Sequence, residues 1–273
     1  VAPPGNVRVG HRALARAALL LQRPQWLAPA ETAYRFITES MQRDGRFGHS
    51  WRDGRLLFPG MASDYTAMVR AALALHEASG GDAYRQDAQA WTELVERHYL
   101  TDAGILAMSD SEADDIILRP KPTHDDAVPN ANGMHAENLL RLAALTGEPA
   151  DQLKADRFLD GLLAHAARAP LAHGSVLNAL DFRLSGAAIA VVGTEADELL
   201  SAARAVPYPN RTVADLSGNN PGHHPGVSAS ASAGDGRAAA FICSGGTCSM
   251  PITDPRQLDE ALARLKDKQK GRV

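Results

Sequence analysis

What most constrains this chain is a helix-period pattern that doubles back on itself at matched points. A stripe of His11, Leu14, Ala15 and Ala18 breaks at Arg23-Pro24, and a second stripe follows through Ala30, Ala33, Tyr34, Ile37 and Met41. The next pair carries Tyr65, Met68, Val69, Ala72 and Leu75, breaks at Gly80-Gly81-Asp82, and resumes with Tyr84, Ala88, Trp91, Val95 and His98. A third pair carries Met134, Asn138, Leu139 and Leu142, breaks at Gly147-Glu148-Pro149, and resumes with Ala155, Leu159, Leu162, Leu163 and Ala166. Pro24, Gly81 and Glu148 each precede an aromatic by 10 residues, at Tyr34, Trp91 and Phe158, and the turns recur after 57 and then 67 residues. Two helices of about fifteen residues and a long connection fill such a period, which predicts a toroid or solenoid of helical hairpins over residues 1–170. Glycine closes the first helix of the later pairs, and Asp82 is the expected N-cap of the helix after Gly81.

The connections have their own grammar. Asp44-Gly45 and Asp53-Gly54 flank a short alternating run and predict a small hairpin extending from one rim. The connection from Thr101 to Asn132 is rich in Asp and punctuated by Pro, and loops this long inside a compact domain are usually functional. Beyond Pro170 the pattern changes. Ser175 to Phe182 predicts a last helix, Ala187 to Val192 a buried strand ending at Gly193, and Glu195 to Ala205 a helix. Thr212 to Leu216 and Ala238 to Cys243 predict two more strands, and Pro255 to Leu265 a closing helix with Asp254 as N-cap. Residues 171–273 thus form a small α/β region with a flexible loop over 217–236. A single glycine after the strand is no dinucleotide fingerprint.

Composition excludes some partners. A formal charge of −4 with scattered basic residues gives no footprint for nucleic acid or an anionic membrane surface. The longest apolar runs, such as Ala13 to Leu21, fall short of the roughly 20 residues of a membrane span. Two cysteines are no disulfide framework, which favours a reducing, cytoplasmic setting. Cys243 and Cys248, flanking a Gly-Gly turn, admit a local disulfide, half of a metal site with His223 and His224, or two buried thiols. A reducing compartment favours the thiols and a structural role. No metal and no cofactor are expected.

Four stretches carry a family resemblance: Ser63-Asp64-Tyr65, Asp125-Asp126-Ala127-Val128-Pro129-Asn130-Ala131-Asn132, Tyr208-Pro209-Asn210-Arg211, and Cys243-Ser244-Gly245-Gly246-Thr247-Cys248-Ser249-Met250-Pro251. Together, over His11 to Leu265, they resemble the C-terminal part of thioredoxin-domain-containing proteins whose second region is a six-hairpin-glycosidase-like barrel. The resemblance implies an (α/α)6 toroid related to N-acylglucosamine 2-epimerases and six-hairpin glycosidases, of which this chain supplies about half. The chain has no thioredoxin-like region and no Cys-x-x-Cys. It opens at Val1 without Met, so a missing N-terminal region or a second copy is expected to complete the barrel and to cover the apolar face of the arc.

Chemistry concentrates at helix entrances. Asp125 and Asp126 precede Asn130 and Asn132, in an Asn-Ala-Asn-Gly turn leading to the helix with His135 and Glu137. Asp64 opens another helix after the aromatic loop bearing Trp51 and Phe58, with Tyr65 beside it. Glycoside chemistry needs a carboxylic acid, a carboxylate and amides that hold hydroxyls, so Asp64, Asp125 and Asp126 are candidate catalytic residues. Trp51, Tyr65, Asn130, Asn132, His135 and Glu137 are candidate sugar contacts. The competing reading makes Asp125, Asn130 and Asn132 turn and N-cap residues, with Ser63 capping the helix at Asp64. The function expected is a glycoside hydrolase or sugar epimerase using rim carboxylates, the alternative a non-catalytic scaffold or partner-binding module.

Overall fold

A computed structural model describes residues 4–113, 116–217 and 237–270. The chain divides into two compact units, 1–139 with 155–180 and 140–154 with 181–273.

The helices form the expected hairpins: α1 (Pro4–Leu20) with α2 (Leu27–Ser40), α3 (Ala62–Ser79) with α4 (Asp82–Tyr99), and α5 (Ala131–Thr146) with α6 (Pro149–Arg168), followed by α7 (Gly174–Ser185); the end of α5, the start of α6 and the end of α7 belong to the second unit. Pro24, Gly81 and Glu148 all fall between helices, as the phasing requires. Gly80 and Gly147 end α3 and α5 in the left-handed region, at φ 75° and 68°, and return their N–H groups to His76 and Ala143. The N-cap of α4 is Gly81, not Asp82. Asp82 is the first helical residue, and its carboxylate accepts from the Arg85 and Gln86 side chains at 2.7 Å each. The side chain of His11 lies outside the described residues.

Burial separates two kinds of helix. α3 is buried on nearly every side from Tyr65 to His76, and α5 from Asn132 to Ala143, as befits helices enclosed by neighbours. α4 and α6 bury single stripes, Ala88, Trp91, Thr92 and Val95 in one and Ala155, Phe158, Leu159 and Leu162 in the other. The phased aromatics explain the repeat. Tyr34 and Trp91 pack at 5.8 Å between ring centroids, and Phe47 bridges Trp91 at 4.9 Å and Tyr65 at 5.1 Å. Phe158 takes the same place in the third pair, edge-on to the His135 ring at 4.8 Å. Helices α3 and α5 touch where the Asn138 amide donates to the Thr66 carbonyl at 2.8 Å. α5 meets α7 at Gly133, where an added Cβ would lie 2.1 Å from Ser175 Oγ.

The loop after α2 holds two consecutive two-stranded ribbons rather than one hairpin: β1 (Gln42–Arg43) with β2 (Arg46–Phe47), and β3 (Ser50–Arg52) with β4 (Arg55–Leu57). Each Asp-Gly pair makes its own tight turn, with φ positive at both residues.

The second unit is a mixed sheet of order β6-β5-β7-β8. β5 (Ala187–Gly193), α8 (Asp197–Ala205) and β6 (Arg211–Ser217) form a parallel crossover, and β7 (Ala239–Ser244) and β8 (Thr247–Cys248) add antiparallel strands. Both faces are covered, which is why β5 is a continuous apolar run. On one face Ile189, Val191 and Ile242 meet Leu199 and Leu200 of α8 and Leu258 and Leu262 of α9 (Gln257–Lys270). On the other, Ala190, Ala214 and Phe241 meet Ala144 and Leu145 from the end of α5. Asp254 accepts the Arg256 N–H at 2.9 Å, just before α9 begins. The loop expected over 217–236 lies outside the described residues, except Ser217, which ends β6; His223 and His224 lie outside them as well. Cys243 and Cys248, opposite each other in β7 and β8, form a disulfide with Cα atoms 4.0 Å apart, where the sequence favoured two thiols. The two-residue turn brings them into register, a proximity that spacing alone leaves open.

Candidate functional site

Two of the three rim carboxylates expected to do chemistry, Asp64 and Asp125, are engaged with backbone. Asp64 is 1% exposed, and its Oδ2 accepts the Met61 N–H at 2.7 Å while His49 Nδ1 lies 2.9 Å away. The cap of α3 is therefore Met61, and Ser63 lies inside the helix. Asp125 Oδ1 accepts the Asn130 N–H at 2.7 Å and the Ser175 hydroxyl, while its Oδ2 accepts the Ser175 N–H at 2.7 Å. One side chain thus ties the entrance of α5 to the first turn of α7. Asp126 is exposed.

The amides behave alike. Asn130 precedes α5, and its Oδ1 accepts the Asn132 N–H at 2.8 Å, an N-cap bond. Asn132 clamps two connections: its Oδ1 accepts the Leu106 N–H at 2.7 Å, and its Nδ2 donates to the Leu106 and Pro122 carbonyls. The expected Asn-Ala-Asn-Gly turn is instead the first turn of α5. Tyr65 is buried, its hydroxyl oxygen accepting the Phe47 N–H at 2.9 Å, and burial raises its pKa. Trp51 is 40% exposed on β3, and His49, just before that strand, reaches the entrance of α3.

Chemistry inside the unit gathers on α3 and α5. Arg70 donates to Glu137 Oε1 across their contact, both side chains nearly buried. His135, 1% exposed, has Nε2 3.9 Å from Glu96 Oε1, beyond hydrogen-bond distance. The Arg70–Glu137 pair lines a cavity of 60 Å3 with Arg12 of α1, Ala67, Pro129, Met134 and, from α7, Ser175 and Asn178. Four helices, α1, α3, α5 and α7, converge there. Arg70, Arg12 and Asn178 are functional candidates that sequence reasoning missed. The available signal was Arg70 as the one charge between Tyr65 and Leu75 of a helix buried all round, since a buried charge demands a partner.

A second cluster combines His98, Asp110 and Glu112 within metal-ligand reach of one another. Arg46 pairs with both carboxylates, at 2.8 Å for Glu112, so a guanidinium already supplies the positive charge there. Burial, and then Arg46, lower the pKa of His98. Among the described residues no helix is long and apolar enough to cross a membrane.

The helical hairpins have the fold of part of an (α/α)6 toroid, as seen in solved glycosidase-like structures. A GH76 α-mannanase from Bacteroides thetaiotaomicron superposes with a TM-score of 0.51 at 14% identity, over 74% of this chain and 59% of that one. In sequence the chain is similar to spermatogenesis-associated protein 20, a thioredoxin-domain-containing protein: 29% identical to the rat protein over 215 residues and 28% to the human one over 222. Each match takes in 74% of this chain but only 27% of the relative's length. No known protein-family profile matches. The likeness drawn from the four motifs is thus found again in sequence relatives and in fold.

Proposed function

We propose that this chain binds a carbohydrate on the face where α1, α3, α5 and α7 converge, and that Glu137 and Arg70 are its principal polar contacts. The observation that carries this is a carboxylate–guanidinium pair that lines a cavity instead of being packed over. A sugar hydroxyl both donates and accepts, and the lining offers both halves: Glu137 accepts, Arg70 and Arg12 donate, and Asn178 does either. Met134 and Pro129 give an apolar wall for a ring's C–H face. A space of 60 Å3 holds a few waters, so it takes a hydroxyl or hydroxymethyl group of a ring lying across its mouth. The toroid fold shared with the mannanase supports the ligand class.

In this reading the rim aspartates shape the entrance and Glu137 is the carboxylate that meets the ligand. If the bound sugar is hydrolysed or epimerised, Glu137 is the first candidate for acid–base work. The scaffold reading is favoured by one specific observation, that Asp64 and Asp125 spend their oxygens on backbone N–H groups.

Calorimetric titration with mannose, glucose, N-acetylglucosamine and cellobiose separates the readings. Millimolar or tighter binding of one of them, weakened about tenfold by Glu137→Gln with the fold retained, is expected for a lost charge-assisted hydrogen bond. Absence of binding by all four sugars, or binding indifferent to Glu137→Gln, sinks the carbohydrate reading and leaves the scaffold.

A further inference from the structure

The sheet of the second unit finishes its two edges differently. At the β6 edge the Arg141 guanidinium donates to the Arg211 and Pro209 carbonyls at 3.0 and 3.1 Å, and the strand itself carries Arg211 and Asp215. Covers and charges of this kind keep a strand edge from pairing with another chain. The β8 edge has neither among the described residues. Ser249 N–H turns inward to Ile242 O at 2.9 Å, so by the alternation of an antiparallel ladder the N–H groups of Cys248 and Met250 point outward. From Thr247 to Met250 this edge holds no charged side chain, and Met250 stands 82% exposed on it.

An open groove of 690 Å3 follows that edge, between Ser249-Met250-Pro251 and one face of α9 formed by Gln257, Glu260, Ala261 and Arg264. Glu260 and Arg264 are exposed, with Arg264 Nη2 3.5 Å from Glu260 Oε2. A pair of opposite charges one turn apart is its own complement when reversed. Turned end for end about a two-fold axis, Glu260 meets the partner's Arg264 and Arg264 meets the partner's Glu260.

We propose that the chain pairs with a second copy of itself through the β8 edge, strand antiparallel to strand, with the two α9 helices on the same face of the joined sheet. A two-fold axis perpendicular to the sheet at Ser249 produces this arrangement. It sets Cys248 opposite the partner's Met250, pairs the outward N–H groups, covers the exposed Met250 side chain and crosses Glu260 with Arg264 twice. Strands this short hold poorly alone, so the helix charges beside them carry part of the interface. The same charges select the occupant: an unrelated strand could take the edge, but a second copy also brings the matching stripe in the matching place.

Sedimentation of the full chain over a range of concentrations and salt tests this. A dimer is expected, weakened as salt screens the crossed charges. Glu260→Arg leaves only guanidiniums around the axis and Arg264→Glu only carboxylates, and each is expected to weaken the dimer about tenfold or more. The double swap, Glu260→Arg with Arg264→Glu, is expected to restore it to within about threefold, because the crossed pairs are then reversed rather than lost. Met250→Lys, a charge on the open edge, is expected to leave a monomer with far-UV circular dichroism unchanged. A wild-type monomer at every concentration overturns the proposal and leaves the edge to a strand of another protein. A dimer indifferent to Met250→Lys and to the single swaps overturns it too, since the copies then meet elsewhere. Should a single swap fail to fold, the wild type and Met250→Lys decide the matter.

Discussion

The helix entrances and the interior face of the α3–α5 contact hold the same kinds of side chain and use them differently. At the entrances, Asp64 and Asp125 give their oxygens to the N–H groups of Met61, Asn130 and Ser175, so these carboxylates hold loops to helices. Inside, Glu137 accepts from Arg70, and the pair lines a cavity that α1 and α7 help to form. A carboxylate is thus placed by what its neighbours lack. Helix starts lack acceptors for their first N–H groups, whereas a buried arginine lacks an anion.

That contrast is open to measurement. The largest effect is expected inside: Arg70→Met should cost about 3–5 kcal/mol, because it removes the guanidinium from a nearly buried ion pair. Combining it with Glu137→Met should recover most of that loss, and a chemical-denaturation double-mutant cycle reads the coupling. Additive costs would break the comparison by showing that the two side chains do not act as a pair. At the rim, Asp125→Ala should cost about 3 kcal/mol, since two backbone N–H groups lose their acceptor together. Asp64→Asn, which keeps an oxygen for Met61, should cost about 1 kcal/mol. A rim aspartate whose replacement abolishes sugar turnover while leaving the thermal midpoint in place would restore it as a catalytic group. The smallest effect belongs to His98. Its folded pKa is lowered, so the unfolded chain binds the proton more readily. The stability it contributes is present above the unfolded value of about 6.5 and is lost as pH falls from there toward the folded value. Thermal midpoints between pH 7.5 and 5 should show a small decline that His98→Gln removes.

Much of this was legible in the residues. The turns at Pro24, Gly81 and Glu148 could be read because breakers act locally, and the aromatics in phase with them pack where equivalent positions of a hairpin must. The strand at Ala187 could be read because a run buried on both faces has no polar alternation. The capping reading of Asp125 and Asn130 could be written down from residue type alone, yet residue type does not choose between a cap and an acid. That choice depends on Ser175, 50 residues further along.

By itself, then, the sequence determined the hairpin periodicity, the Gly-Gly turn between Cys243 and Cys248, and the apolar β5. Each is set by interactions between near neighbours or by burial that leaves a periodic trace. Only the tertiary structure decided which charges meet. Arg70 finds Glu137 at a separation of 67 residues, and Arg46 finds Asp110 at 64. The reason is physical: a charge reports its need for a partner through its own type, but the partner is chosen by how helices pack, and packing leaves no mark at fixed spacing in the chain.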